Sequence, residues 1–243
     1  MVLVIERTVV FLICLVPVCS LAQAQASTRI QAQSGKSAST RAPAAKKISA
    51  ASHAGDFAKF EATIESAMVE SAKRDIANKA YGHFLALSVA YPTDYVARSY
   101  AGYLAAQRCA YTVNQEERAT FLQEGLPLLE QAVEEAKKSG SNSEKYVVYR
   151  NRADIYSILP AILEKQNVAL TDSEEMMRIV DLAGMTAVEK LRARLIRVRC
   201  LARADRSKEA KGLMTQIRKD PLLGSEKLRY ELKTAEEALA TKE

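Results

Sequence analysis

The sequence predicts an all-α fold of stacked antiparallel helix hairpins, closed by a C-terminal capping helix. Helix-forming residues (Ala, Leu, Glu, Lys and Arg) recur along its 243 positions, and no run of alternating β-branched residues indicates a strand. The six prolines and nine glycines fall mostly at the expected helix boundaries. With 48% hydrophobic and 26% charged residues, the composition is that of a globular protein with a sizeable core.

Residues 1–24 predict a secretory signal peptide. Arg7 provides the positive start, an apolar core follows, and the Ala-Gln-Ala that ends at Ala24 has the small-x-small pattern of a cleavage site. The apolar run is short and interrupted for a membrane span, which needs about 20 residues. We therefore expect export, with the bacterial periplasm as the destination. Lipid anchoring through Cys19 is the less favoured alternative, because Val18 is large for the position before a lipidated cysteine.

Residues 25–55 predict a disordered basic spacer. This segment consists largely of Ala, Ser, Gln and Lys, has almost nothing to bury, and carries five basic residues and no acidic one. It could contact an anionic membrane or a wall polymer. Since the net charge of the whole chain is +6, the remainder is only about +1. That near-neutral remainder and the predicted export argue against nucleic acid as a partner.

Nine helices are predicted over residues 56–243, the helical domain. Pro92 stops the second, Asp94 caps the third, and Asn114 with Glu117 resembles a capping box before the fourth. Pro160 either kinks the fifth helix or ends it early, and the last is amphipathic, as a capping helix would be. The predicted ranges are 57–74, 76–91, 93–112, 114–138, 144–165, 171–184, 186–205, 207–219 and 225–240.

A partial repeat runs through these helices. The second helix and the residues just after it show one spacing of small, large and proline positions, at Ala80, Phe84, Leu87 and Pro92. Parts of this spacing recur in the fourth, sixth and eighth helices. The fifth helix has an aromatic-small-tyrosine spacing in Tyr149, Ala153 and Tyr156.

Both patterns resemble the helices of the tetratricopeptide repeat, over roughly residues 61–224. The resemblance implies a solenoid of stacked helix pairs with a concave groove. The spacing between successive repeats departs from the family's about 34 residues in the middle of the chain. An unrelated helical bundle is the alternative.

The resemblance also implies a partner-binding groove. In the family's register, Arg192, Arg199 and Arg203 of the seventh helix face the groove, and so do Arg150 and Asp154 of the fifth. Tetratricopeptide proteins bind peptides there, some through basic residues on a terminal carboxylate, which guanidinium groups accept bidentately. The alternative is a solvated basic face that pairs with nearby Glu residues.

The seventh helix carries two apolar stripes. One consists of Leu191, Leu195, Val198 and Ala202, and the other of Ala193, Ile196 and Cys200. Two such stripes predict that the helix has neighbours on two sides.

Catalytic chemistry finds little support in the sequence. His53 falls in the predicted spacer, His83 stands alone on a helix, and no hydrolase, phosphate-loop or metal motif is present. We therefore expect no catalytic residue, metal or cofactor. Cys109 and Cys200 could form a disulfide in an oxidising compartment or could be two small buried apolar residues.

The function expected from these observations is that of an exported, periplasmic scaffold that binds a protein or peptide in its groove. It would act in envelope assembly or in a secretion complex. One alternative is an envelope enzyme or its helical accessory subunit, since Glu65-Ser66 faintly resembles the Glu-Ser pair of lytic transglycosylases. Another is a structural link between membrane and wall.

Overall fold

The computed structural model describes residues 48–225 and 228–241, and the regular structure in these ranges is entirely helical. The predicted signal peptide, Cys19 and residues 25–47 of the predicted spacer lie outside the described residues. Within them, no helix is both long and apolar enough to cross a bilayer. The α-helices are α1 Ala50–Ser66, α2 Glu70–Ala90, α3 Tyr95–Gln107, α4 Gln115–Ser139, α5 Asn142–Ile158, α6 Gln166–Ile179, α7 Ala187–Arg203, α8 Ser207–Ile217 and α9 Arg229–Ala240. Three short 3-10 helices cover Arg108–Tyr111, Ala161–Leu163 and Pro221–Gly224.

Each helix packs against the next one along the chain, and the odd-numbered helices also contact one another. α3 packs against α1 and α5, and α7 packs against α5 and α9. Short connections return the chain after each helix, so alternate helices form a row. This row brings side chains of α1, α3, α5 and α7 to one region of the molecule.

The two apolar stripes predicted on α7 are confirmed. Ala193, Ile196 and Cys200 belong to the large core that α7 shares with the preceding helices. The stripe that includes Leu195 and Val198 belongs to a second core, which α8 and α9 complete. α7 is therefore an interior helix with apolar neighbours on both sides.

α3 and α4 approach each other at a pair of glycines. A Cβ atom on Gly102 would lie 2.8 Å from the carbonyl oxygen of Gly125 and 2.9 Å from the backbone nitrogen of Leu129. A Cβ atom on Gly125 would lie 2.7 Å from the carbonyl oxygen of Gly102. Real Cβ contacts are longer than this, so the absence of a side chain is what lets the two backbones touch.

The start of the helical domain differs from the prediction. α1 begins at Ala50, not Phe57, because Ser49 caps it by accepting a hydrogen bond from the Ser52 amide. His53, predicted to be in the spacer, lies on the buried face of α1 and is fully buried. Residues 50–55, predicted to belong to the disordered spacer, are therefore part of α1.

The boundary between the first two helices was also predicted wrongly. The chain leaves the helical conformation at residues 67–69, before α2, rather than at residue 75. Met68 follows Phe60 and Ile64 at successive spacings of four residues, as on one face of a continuous helix, yet it is 98% exposed. Neither glycine nor proline marks this break, so no turn signal in the sequence indicates it.

The other caps largely follow the sequence. Asp94 and Asn114 cap α3 and α4 through their side chains, as predicted. α5 ends just before Pro160, which resolves the kink-or-stop alternative in favour of a stop. α6 begins at Gln166 rather than residue 171, and Asp172 inside it is buried in a bidentate ion pair with Arg152.

Both cysteines are buried free thiols, so the disulfide alternative is wrong. The sulfur of Cys109 lies near the Arg118 carbonyl and that of Cys200 near the Ala153 carbonyl, in different parts of the core. Burial raises the pKa of Cys109 to about 11 and that of Cys200 to about 12. Thiols with such high pKa values are unreactive at neutral pH.

Candidate functional site

A cavity of about 370 Å³ lies between α1, α3, α5 and α7. α1 supplies part of its apolar wall through Ala54, Phe57 and Ala58, and Met185 adds to that wall from the connection before α7. This volume is at the lower end of the range typical of small-ligand sites, so it suits a side chain or a small molecule. The cavity's polar lining residues are Glu61, Ser143, Tyr100, Tyr146, Arg150, Glu189 and Arg192.

α1 is held in place by a buried hydrogen bond between two side chains and by aromatic contacts. His53 Nε2 lies 2.8 Å from Asp94 Oδ2, and both side chains are almost completely buried. The Phe57 ring stacks on Tyr100, with centroids 4.7 Å apart, and meets Tyr103 edge-on at 5.5 Å. These contacts fix the α1 wall of the cavity against α3.

We expect His53→Ala to loosen α1 selectively. The change removes a buried hydrogen bond to Asp94 and the ring contact with Phe84, at a cost of about 1–3 kcal/mol. Amide hydrogen exchange should become faster in α1 than in α5 or α7. His83→Ala is the matched control, because His83 is half-exposed. Equal exchange rates in the two variants would contradict the anchoring role of His53.

Two arginines and two glutamates form a connected cluster in the cavity wall. Glu189 bridges the arginines, with Arg150 Nη1 at 3.3 Å from Oε2 and Arg192 Nη1 at 2.5 Å from Oε1. Arg192 Nε also lies 2.6 Å from Oε1 of Glu231 on α9. Burial tends to raise the pKa of Glu189, but Arg150 and Arg192 outweigh it, so the net shift is downward. The carboxylate of Glu189 is therefore ionised, and its charge is shared by both guanidinium groups.

Glu61 is the third carboxyl group at this site. It lines both the cavity and a small adjoining void, which also contains Glu231. No described residue donates a hydrogen bond to the Glu61 carboxyl group or forms an ion pair with it. Burial raises its pKa to about 7, with Arg192 and Arg150 opposing the rise and Glu231 and Glu65 adding to it.

Arg199 and Asp154 lie in the interior rather than on an open groove. The Arg199 side chain is 2% exposed, forms an ion pair with Asp154, and donates hydrogen bonds to Ser157 and Thr234. The Tyr103 hydroxyl donates to the other Asp154 oxygen at 3.0 Å. These bonds satisfy both charges within the protein and join α5 to α7 and α9. The pair therefore does not point to solvent.

The five residues predicted for the groove therefore lie in four different surroundings. Arg150 and Arg192 line the cavity, and Asp154 lies beneath them in the adjoining void. Arg199 is buried. Arg203 is half-buried near the end of α7 and lines neither space; its Nε is buried and has no hydrogen-bond partner among the described atoms.

Glu61, Glu189 and Glu231 were not predicted as site residues from the sequence. One signal was available for Glu61, since it follows Phe57 by four residues and precedes Ile64 by three on the apolar face of α1. A carboxylate within an apolar stripe indicates either a buried partner or a site. Glu189 and Glu231 had no such signal, because their sequence positions resemble ordinary solvent-facing helix positions.

The arrangement can hold a small group between an apolar, aromatic wall and a set of fixed charges. In the described ranges, no group of three His, Cys, Asp or Glu residues is placed to hold a metal ion. No family model, no curated protein and no solved structure matches this chain.

Proposed function

We propose that the protein is an exported binding scaffold that holds a protein or peptide partner through the cavity between α1, α3, α5 and α7. The predicted signal peptide supports export, with the bacterial periplasm as the compartment and envelope assembly or a secretion complex as the setting. The tetratricopeptide-like spacing supports the same proposal, because helix-pair repeats commonly present a recognition surface on one side of the stack.

The cavity itself is the observation that carries the proposal. Its aromatic and charged side chains come from four helices, α1, α3, α5 and α7, which are far apart in sequence and converge on one space. Rigid aromatic rings beside a few polar groups are typical of sites that recognise a partner's side chain. The volume of about 370 Å³ is too small for a folded segment, so we expect the partner to insert one or two side chains.

Filling the cavity should abolish partner capture. Ala58 is exposed and lines the cavity, so Ala58→Trp would occupy that space without forcing a large side chain into the core. In a pull-down from an envelope extract, the unmodified protein should retain a defined partner, and Ala58→Trp should lose at least nine-tenths of it. The measurement is quantitative mass spectrometry of the retained proteins, with melting temperature as the check on folding.

Ala62→Trp is the matched control for this experiment. Ala62 is exposed on the same helix but does not line the cavity, so its replacement should leave capture intact. Equal capture by all three proteins would refute the assignment of the binding site to the cavity. Equal loss in both variants would contradict it as well, because the effect would then come from any tryptophan on α1.

The enzymatic alternative has one observation in its favour, and it concerns Glu61 rather than Glu65. Glu65 is exposed and lines neither cavity nor void, whereas Glu61 lines both and has a pKa of about 7, as a general acid requires. Hydrolysis of purified cell-wall polymer by the protein, abolished by Glu61→Gln, would support this alternative over the scaffold.

A further inference from the structure

We propose that the cavity binds an alkylammonium group, the head of a lysine side chain on a protein partner, with the Glu61 carboxylate as its counter-ion. This inference rests on the proposed function and names the chemistry that the site recognises. It also departs from the carboxylate-binding site that the tetratricopeptide resemblance implies, because the arginines of the cavity are already paired.

Among the residues that the structure describes, the charges at the site leave one carboxylate in excess. Arg150 and Arg192 are compensated by Glu189 and Glu231, at the distances given above. Arg199 is compensated by Asp154 in the layer beneath. Ionised Glu61 therefore gives the site a net charge of about −1, and one monovalent cation neutralises it.

The cavity walls suit the stem of a lysine side chain. Ala54, Phe57, Ala58 and Met185 offer apolar surface next to the carboxylate. Four methylene groups can lie along such a surface while the ammonium group reaches Glu61. The Phe57 and Tyr146 rings also border the space, and aromatic faces attract cations. An ammonium group is a compact point charge with three rotatable donors, whereas arginine presents a wider planar fork that suits a carboxylate bidentately.

Binding should weaken when Glu61 becomes protonated. The Arg150 and Arg192 guanidinium groups and the lysine ammonium group do not titrate near neutrality, whereas Glu61 does. With a pKa of about 7, Glu61 is mostly ionised at pH 8 and mostly neutral at pH 6.

The groups that surround Glu61 come from every neighbouring element except α2, because none of the described residues that line the cavity or the void belongs to α2. The titratable and charged groups that face Glu61 are Tyr100 and Tyr103 of α3, Tyr111 of the first 3-10 helix, Tyr146, Arg150 and Asp154 of α5, Glu189 and Arg192 of α7, Glu231 of α9 and Glu65 of α1 itself.

The test uses capped alanine pentapeptides that differ only at the central residue. Calorimetric titration of the full chain at pH 8 should show binding of the lysine peptide and roughly ten- to hundredfold weaker binding of the norleucine peptide, which keeps the stem without the charge. The lysine peptide should bind roughly tenfold less tightly at pH 6 than at pH 8. A glutamate peptide should bind no better than the norleucine peptide.

Glu61→Gln identifies the residue responsible. The variant keeps the shape of the side chain and removes its charge, so it should weaken lysine-peptide binding by roughly ten- to hundredfold and abolish the pH dependence. Glu65→Gln is the matched control, because Glu65 is exposed one turn further along α1 and does not line the cavity. It should change the affinity less than twofold.

The outcomes separate this inference from the proposed function. Equal affinity for lysine and norleucine, tighter binding of the glutamate peptide, or unchanged binding in Glu61→Gln would each overturn the lysine proposal. If partner capture remained sensitive to Ala58→Trp in such a case, the binding scaffold would stand and only its ligand would be wrong. If capture itself were insensitive to Ala58→Trp, the proposed function would fall too.

Discussion

Arg199→Met should destabilise the protein by about 3–5 kcal/mol. The substitution leaves Asp154 as a buried charge without its counter-ion and removes hydrogen bonds from Arg199 to Ser157 and Thr234. For a domain of this size we expect the melting temperature to fall on the order of 10 °C. Thermal and urea unfolding followed by circular dichroism would measure both quantities.

Two further variants test the reason for this loss. Arg203→Met changes an arginine one turn further along the same helix that forms no ion pair with a described residue, so it should cost less than about 1 kcal/mol. Adding Asp154→Leu to Arg199→Met removes the orphaned charge, and the double variant should be more stable than Arg199→Met alone. Equal stability of the two single variants would show that the buried pair has no special role.

Gly102→Ala should have the second large effect, on the contact between α3 and α4. The new methyl group would lie under 3.0 Å from backbone atoms of Gly125 and Leu129, which cannot rotate away as a flexible side chain would. The two helices must therefore separate, at a cost of about 1–3 kcal/mol or more. Urea unfolding should show a lower midpoint with an unchanged slope.

Gly212→Ala is the same chemical change, but we expect it to have the opposite effect on stability. A Cβ atom on Gly212 meets nothing within 4 Å, and the residue lies inside α8. Alanine there should raise helix propensity and stabilise the protein by up to about 1 kcal/mol. If both glycine substitutions shifted stability in the same direction, close packing at Gly102 would not be the cause.

The helical character and most helix ends could be predicted, because local chemistry determines them. Asp94 and Asn114 provide side-chain caps, and Pro160 cannot continue a helix. The α1–α2 break could not be predicted, since residues 67–69 carry no turn signal and the periodicity continues through Met68. The early start of α1 was hidden as well, because the residues around His53 have the composition of a spacer.

The candidate site was only partly within reach of the sequence. Helical register, which depends only on spacing, singled out Arg150 and Arg192, and both line the cavity. That register also indicated Arg199, but it could not reveal that α9 covers this residue and that Asp154 neutralises it. The charge of the site depends on Glu61 and Glu231, which long-range packing brings to the arginines.

The anchoring of α1 connects the stability of one helix to the affinity of the site. Because α1 forms a wall, the complete cavity exists only in molecules where this helix is docked, and apparent affinity equals the intrinsic affinity multiplied by the docked fraction. A change that left α1 docked in a tenth of the molecules would weaken binding about tenfold without touching the ligand. By the same thermodynamic linkage, a bound ligand holds α1 in place, so occupancy of the site raises the stability of this helix.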